Sequence, residues 1–127
     1  MLTRDRLKSF VLRKGRITAN QKQAIETLWD QYVLSTKEDI NKFLLNRSSV
    51  LDIGFGAGET TTYLAKNMPE SSILGAEVYL AGIGSTLSKS NEEGLNNIKI
   101  LNSDIVPFLE ETISDDSFDL VLMFYPD

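Results

Sequence analysis

The chain contains no cysteine and no histidine. The first absence excludes disulfides, thiolate catalysis and cysteine-ligated metals together. The second removes the commonest metal ligand and the commonest general base. Chemistry must therefore rest on carboxylates, lysine and arginine, hydroxyls, backbone groups or a bound cofactor. No apolar run approaches the length of a membrane span, and the amino end lacks the apolar core of a signal peptide. A soluble cytoplasmic protein with no membrane partner is the expectation. There is no internal repeat and no low-complexity tract. At 127 residues the chain is one domain, large enough for a real core.

Positive charge is scarce after the first few turns of sequence. Residues 1–22 hold seven basic residues (Arg4, Arg6, Lys8, Arg13, Lys14, Arg16 and Lys22) against Asp5 alone, a net +6. The remaining residues hold six basic side chains against seventeen acidic ones, a net −11. A basic arm on an acidic body suggests a polyanion at one end and a cationic ligand at the other.

Residues 1–17 show no period and read as the arm. Thr18 to Gln21 fits a capping box, with Gln21 reaching back to the cap. Ala24, Ile25, Leu28, Trp29 and Tyr32 then recur at helical spacing, which predicts a helix over about 19–32. That spacing makes Trp29 and Tyr32 core residues rather than a ligand platform. Ser35 or Thr36 caps a second short helix with Ile40, Phe43 and Leu44 inward, so residues 18–48 form a helical extension. Strand–helix alternation occupies 49–127. Strands are expected at about 49–53, Ser72–Glu77, Ile98–Leu101 and Phe118–Tyr125. Helices are expected at about 58–68, where Pro69 stops the helix, and at about 80–93, with Gly94 just past the end. A short helical stretch follows around Pro107–Thr112. Gly82 and Gly84 weaken the second of these helices, which suggests close approach to a ligand or a neighbouring helix. Right-handed crossovers give an α/β parallel sheet in the order 3-2-1-4, with helices on both faces. Strand four is then an exposed edge and an association hazard.

The most informative stretch is Val50–Leu51–Asp52–Ile53–Gly54–Phe55–Gly56–Ala57–Gly58–Glu59. Glycine at every second position lets the backbone turn sharply and lets a ligand approach the main chain closely. A dinucleotide fingerprint, G-x-G-x-x-G, would need its third glycine where Glu59 stands, and Glu59 would repel a pyrophosphate. The pattern hydrophobic–Asp–hydrophobic–Gly–x–Gly–x–Gly instead resembles motif I of class I methyltransferases. Their cofactor, S-adenosylmethionine, has no phosphate and carries cationic groups. Four carboxylates also fall at strand ends: Asp52, Glu77, Asp104 and Asp127. Glu77 lies at the distance from the loop where a second-strand acid accepts two ribose hydroxyls, a task suited to an acceptor-only group. Asp52 is expected to support the loop and the amino-acid end of the cofactor, and Asp104 to meet the adenine or ribose. Shared metal binding by these acids is the weaker alternative, because strand ends flanking a loop spread hard ligands too far apart.

The resemblance becomes specific when five segments are taken in order. They are Ser9–Phe10–Val11–Leu12–Arg13–Lys14–Gly15–Arg16–Ile17–Thr18, Ile53–Gly54–Phe55–Gly56, Leu74–Gly75–Ala76–Glu77–Val78, Glu92–Glu93–Gly94–Leu95–Asn96–Asn97 and Phe124–Tyr125–Pro126–Asp127. Together they resemble the bacterial tRNA (guanine-N7)-methyltransferase family. The resemblance implies a Rossmann-like class I methyltransferase fold and methylation of N7 of a guanine in the tRNA variable loop; no metal is expected, on the spacing of the acids given above. It implies cofactor contacts from Asp52, Gly54, Phe55, Gly56, Gly58, Glu77, Val78, Asp104 and Asp127, with Asp127 also at the catalytic centre. Arg13, Lys14 and Arg16 are the candidate tRNA phosphate contacts. Two departures stand out. The family usually has glutamate at the position of Asp52, and its members continue past Pro-Asp with further strands and tRNA-contacting residues. Two alternatives therefore stay open: a truncated cofactor-binding module without transferase activity, and a class I methyltransferase with another acceptor.

Overall fold

A computed structural model describes residues 17–102 and 118–123. The expected arm, the helical stretch after β3, and the positions of Arg13, Lys14, Arg16, Asp104 and Asp127 lie outside the described residues. Eight elements follow in order: α1 (Ala19–Tyr32), α2 (Lys37–Leu44), β1 (Ser49–Ile53), α3 (Glu59–Asn67), β2 (Ser72–Glu77), α4 (Leu80–Glu92), β3 (Ile98–Asn102) and β4 (Leu120–Met123). None of these helices is long and apolar enough to cross a membrane.

Local signals explain where the first helices begin. Thr18 accepts a hydrogen bond from Gln21 N at 3.1 Å, and the Gln21 side chain accepts from Thr18 N at 2.9 Å. The reciprocal pair satisfies two amide donors that the first turn leaves without helical partners. Thr36, rather than Ser35, caps α2 by accepting from Asp39 N. Gly94 sits one residue past the α4 cap with φ +63°. Asn46 adopts φ +62° just beyond α2, a conformation asparagine tolerates better than most side chains.

The four strands form one parallel sheet in the order β3-β2-β1-β4. Alternation along each strand divides the core into two layers. Val50, Ile73, Ile98 and Ile100 pack with Ala24 and Ile25 of α1, Ala65 of α3, and Ile83 and Leu87 of α4. Trp29 packs against this layer and Tyr32 is buried in it. Leu51, Leu74, Ala76 and Leu101 make the other layer with Ile40, Phe43 and Leu44 of α2. Both faces of the sheet are therefore covered, as a buried parallel sheet requires.

Three differences from the expected elements have physical reasons. The last strand begins at Leu120, not Phe118. Asp119 is instead engaged with the start of β1, its carboxylate accepting from Ser49 N at 2.8 Å and its own amide donating to Ser49 O at 3.0 Å. The helix after the glycine loop starts at Glu59, because Gly58 at φ +83° forms its cap. β3 extends to Asn102, which pairs with Glu77. A feature absent from the sequence reading closes the far edge of the sheet. Val33 bridges Ile100 in parallel, and Leu34 N donates to Ile100 O at 2.9 Å. Lys99 reinforces this edge. Its ammonium donates to Gln31 O at 2.6 Å and lies 5.8 Å from the Tyr32 ring centroid, and burial lowers its pKa. β4 forms the opposite edge, where Leu120 and Val121 are substantially exposed.

Candidate cofactor site at the carboxyl edge of the sheet

The glycine loop continues β1 at its carboxyl end. Gly54 N still donates to Ala76 O at 2.8 Å, so the first glycine keeps the ladder to β2. The chain then turns, with Gly58 N donating to Phe55 O at 3.1 Å, and enters α3. Gly54, Gly56 and Gly58 all have positive φ, a path that costs other residues strain at three alternate positions. Phe55 points inward and is buried over β2. A Cβ on Gly75 would stand 2.7 Å from the Phe55 ring, so the bare backbone at Gly75 makes room for that ring. Lys89 of α4 binds the outside of the loop, donating to Ala57 O at 3.4 Å.

Glu77, the last residue of β2, reaches across to this loop. Its Oε1 accepts from Gly56 N at 2.7 Å, and its Oε2 accepts from Val78 N at 2.7 Å and Tyr79 N at 3.3 Å. One buried carboxylate thus fixes both the loop after β1 and the turn after β2. Val78 and Tyr79, next to it, are exposed large side chains.

Asp52 behaves differently from the rim residue that the sequence suggested. It lies within β1, pairs with Gly75, is 3% exposed, and accepts from Thr61 Oγ1 of α3 at 2.8 Å. Its side chain shares the face of Val50, the face that α3 covers, so strand parity turns it inward. Burial raises its pKa; the Thr61 bond pulls the other way, and the charge of Glu77 raises it further. Two of the expected acids, Asp52 and Glu77, are therefore electrostatic neighbours. Of these two, Glu77 is the one tied directly to the loop. Among the described residues no group of three acidic side chains is arranged to hold a metal ion.

Two residues of this edge escaped the sequence reading as site residues. Tyr79, two residues past the acid, is the N-cap residue of α4; the local signal was an aromatic two positions after a strand-end acid. Thr61, in the first turn of α3, is the hydroxyl donor to Asp52; the glycine loop between them leaves no periodic signal in the sequence.

A loop bent through three glycines after an inner strand, held by the terminal acid of the neighbouring strand, marks an α/β domain of the doubly wound, Rossmann-like class. Sequence comparison narrows the class. The model of a family described as putative methyltransferases matches residues 46–127, and the chain belongs to that family. The tRNA (guanine-N(7)-)-methyltransferase of Shigella boydii serotype 4 (strain Sb227) is 40% identical over 126 residues, covering 96% of this chain and 53% of that protein. Its counterpart from Neisseria meningitidis serogroup C (strain FAM18) is 38% identical over 125 residues, covering 95% and 52%. The chain spans about half the length of the curated relatives it matches. Among solved structures, PKMT2 from Rickettsia typhi in complex with AdoHcy aligns over 72% of this chain and 19% of that chain, with 20% identity and a TM-score of 0.49.

Proposed function

We propose that this chain carries the S-adenosylmethionine-binding part of a tRNA (guanine-N7)-methyltransferase. The observation that carries the reading is the bond from Gly56 N to Glu77 Oε1, which sets a buried acceptor against a glycine loop. Identity of about two residues in five across nearly the whole chain supports the choice of acceptor.

The residues present fit such a cofactor. Among the described residues, and its own chain neighbours aside, nothing lies within 4 Å of where a Gly56 Cβ would stand. A carboxylate offers about four acceptor positions, and three backbone amides use the Glu77 group, so Oε1 keeps one for a ribose hydroxyl. A second hydroxyl bond requires release of one of the amides. Exposed Val78 and Tyr79 offer apolar surface beside that position for a purine ring. The paired charges of Asp52 and Glu77 favour a cationic ligand over a phosphate. When bound, S-adenosylmethionine supplies a methyl group already activated on sulfonium.

The remaining chemistry asks little of the protein. Guanine N7 carries a lone pair and no proton, so its methylation needs no general base, in keeping with a chain that lacks histidine. The protein's task is to hold cofactor and base in line. In this reading Asp127 stabilises the charge that develops on the purine, and Asp104 completes the nucleoside contacts. Arg13, Lys14 and Arg16 hold tRNA phosphates. Calorimetry with S-adenosylmethionine, run beside a tritiated-methyl assay on unmodified tRNA, tests the proposal. Binding with transfer to tRNA is expected of the enzyme, and binding without transfer identifies a module that needs the rest of a longer protein. Absence of binding refutes both.

A further inference from the structure

We infer that Gly82 of α4 is a positioning residue for the ligand loop, acting through the backbone of Gly56; the inference rests on the cofactor reading above. A Cβ at Gly82 would overlap the Gly56 carbonyl oxygen and lie 3.6 Å from Glu77 Cγ. The same missing side chain thus lets α4 approach both partners of the Gly56–Glu77 hydrogen bond. One helical turn on, Thr86 touches the other end of the loop. A Cβ on Gly58 would overlap its side chain, and its hydroxyl donates to Gly82 O at 2.8 Å. α4 is therefore the wall against which the loop is pressed, with Gly56 O facing the helix and Gly56 N facing Glu77. The Cβ direction of Gly56 meets no other described residue within 4 Å, which leaves room there for a ligand.

Overlap with a backbone carbonyl cannot be relieved by a side-chain rotation. An alanine at 82 must push the loop or the helix away, which lengthens the hydrogen bond from Gly56 N to Glu77 Oε1 and tilts the surface that meets the ligand. Gly84 provides an internal control. It lies two residues along the same helix, and the three nearest atoms to a Cβ there all belong to Gln21 of α1, its carbonyl oxygen at 2.7 Å. Both substitutions crowd α4, and only one crowds the loop.

The test uses the full chain labelled with ¹⁵N, its Gly56 and Gly58 amide resonances, and S-adenosylhomocysteine as the calorimetric probe. Gly82→Ala is expected to shift both amide resonances in the ligand-free protein and to weaken binding at least tenfold. Gly84→Ala is expected to leave those resonances in place and to bind within threefold of wild type. If Gly82→Ala fails to fold, Thr86→Ala replaces it: removing the wall behind Gly58 should speed hydrogen exchange at the Gly58 amide and weaken binding three- to tenfold. Unmoved loop amides in Gly82→Ala, or equal losses in Gly82→Ala and Gly84→Ala, overturn the inference. A wild-type chain that ignores the probe refutes the cofactor reading instead, while the amide shifts still decide whether Gly82 sets the loop.

Discussion

Replacing Glu77 with glutamine keeps the shape of the side chain and removes one acceptor, so its effect can be worked from the contacts. The carboxylate accepts from Gly56 N on one oxygen and from Val78 N and Tyr79 N on the other. A glutamine has one carbonyl oxygen and an NH₂ group. If the oxygen stays with Val78 and Tyr79, the NH₂ faces Gly56 N–H, donor against donor, and the loop is untied. If the side chain flips, two amides lose their acceptor instead. The first arrangement loses one hydrogen bond to a charged group at a buried position, about 2 kcal/mol. In a domain of this size that is a fall of roughly 8 °C in Tm. On the proposed cofactor reading a ribose acceptor weakens at the same time and the loop loses its anchor, so affinity for S-adenosylhomocysteine should fall by about 30-fold or more. Thermal denaturation and calorimetry on the same sample read both effects. A Glu77→Gln protein with unchanged Tm and affinity within threefold of wild type would refute the idea that this carboxylate organises the site.

Asp52→Asn tests whether the buried acid is kept at a cost. Because the folded-state pKa of Asp52 is raised, its ionisation opposes folding at neutral pH. The variant should be the more stable protein at pH 7. Its advantage should shrink as pH falls through the raised value and vanish below the ordinary 3.8, in urea titrations at several pH values; a less stable variant at pH 7 contradicts this. Asn97 is 2% exposed and donates through Nδ2 to the carbonyls of Ala65, Met68 and Ser71, each at 3.0 Å. Asn97→Ala strips all three and should lower unfolding free energy by about 2–4 kcal/mol; a loss under about 1 kcal/mol would show water replacing the amide. For the basic arm, changing Arg13, Lys14 and Arg16 to glutamine should reduce the salt dependence of tRNA binding by about 2–3 in log–log slope. An unchanged slope removes these residues from the interface.

What could be read from sequence was what neighbours in the chain determine. The capping box at Thr18 and Gln21, the stop before Pro69 and the left-handed residue at Gly94 are local devices, and each appears where expected. The strand order followed from crossover handedness, which leaves few topologies for alternating strands and helices. The close approach expected at Gly82 and Gly84 also appears, although the partners could not be named: one meets the glycine loop and the other meets α1.

What could not be read depends on which layer covers a given face. Asp52 sits near the end of its strand in sequence, which suggested the rim. Its parity places it under α3, where Thr61 takes it as a partner. The Glu77–Gly56 bond joins residues twenty-one apart through the turn geometry of two different strands, and no spacing rule carries that information. The Val33–Ile100 bridge is equally silent, because a single residue pair leaves no alternating pattern to recognise.

The central claim is that the loop after β1 and the acid ending β2 form one nucleoside site. Titrating the ¹⁵N-labelled chain with S-adenosylhomocysteine tests it most directly, because each amide reports its own position. Saturable shifts should centre on Gly54, Gly56, Gly58, Val78 and Tyr79. Shifts centred instead near Arg47 and Ser71, where β1 and β2 begin, or no shifts at all, would contradict the account.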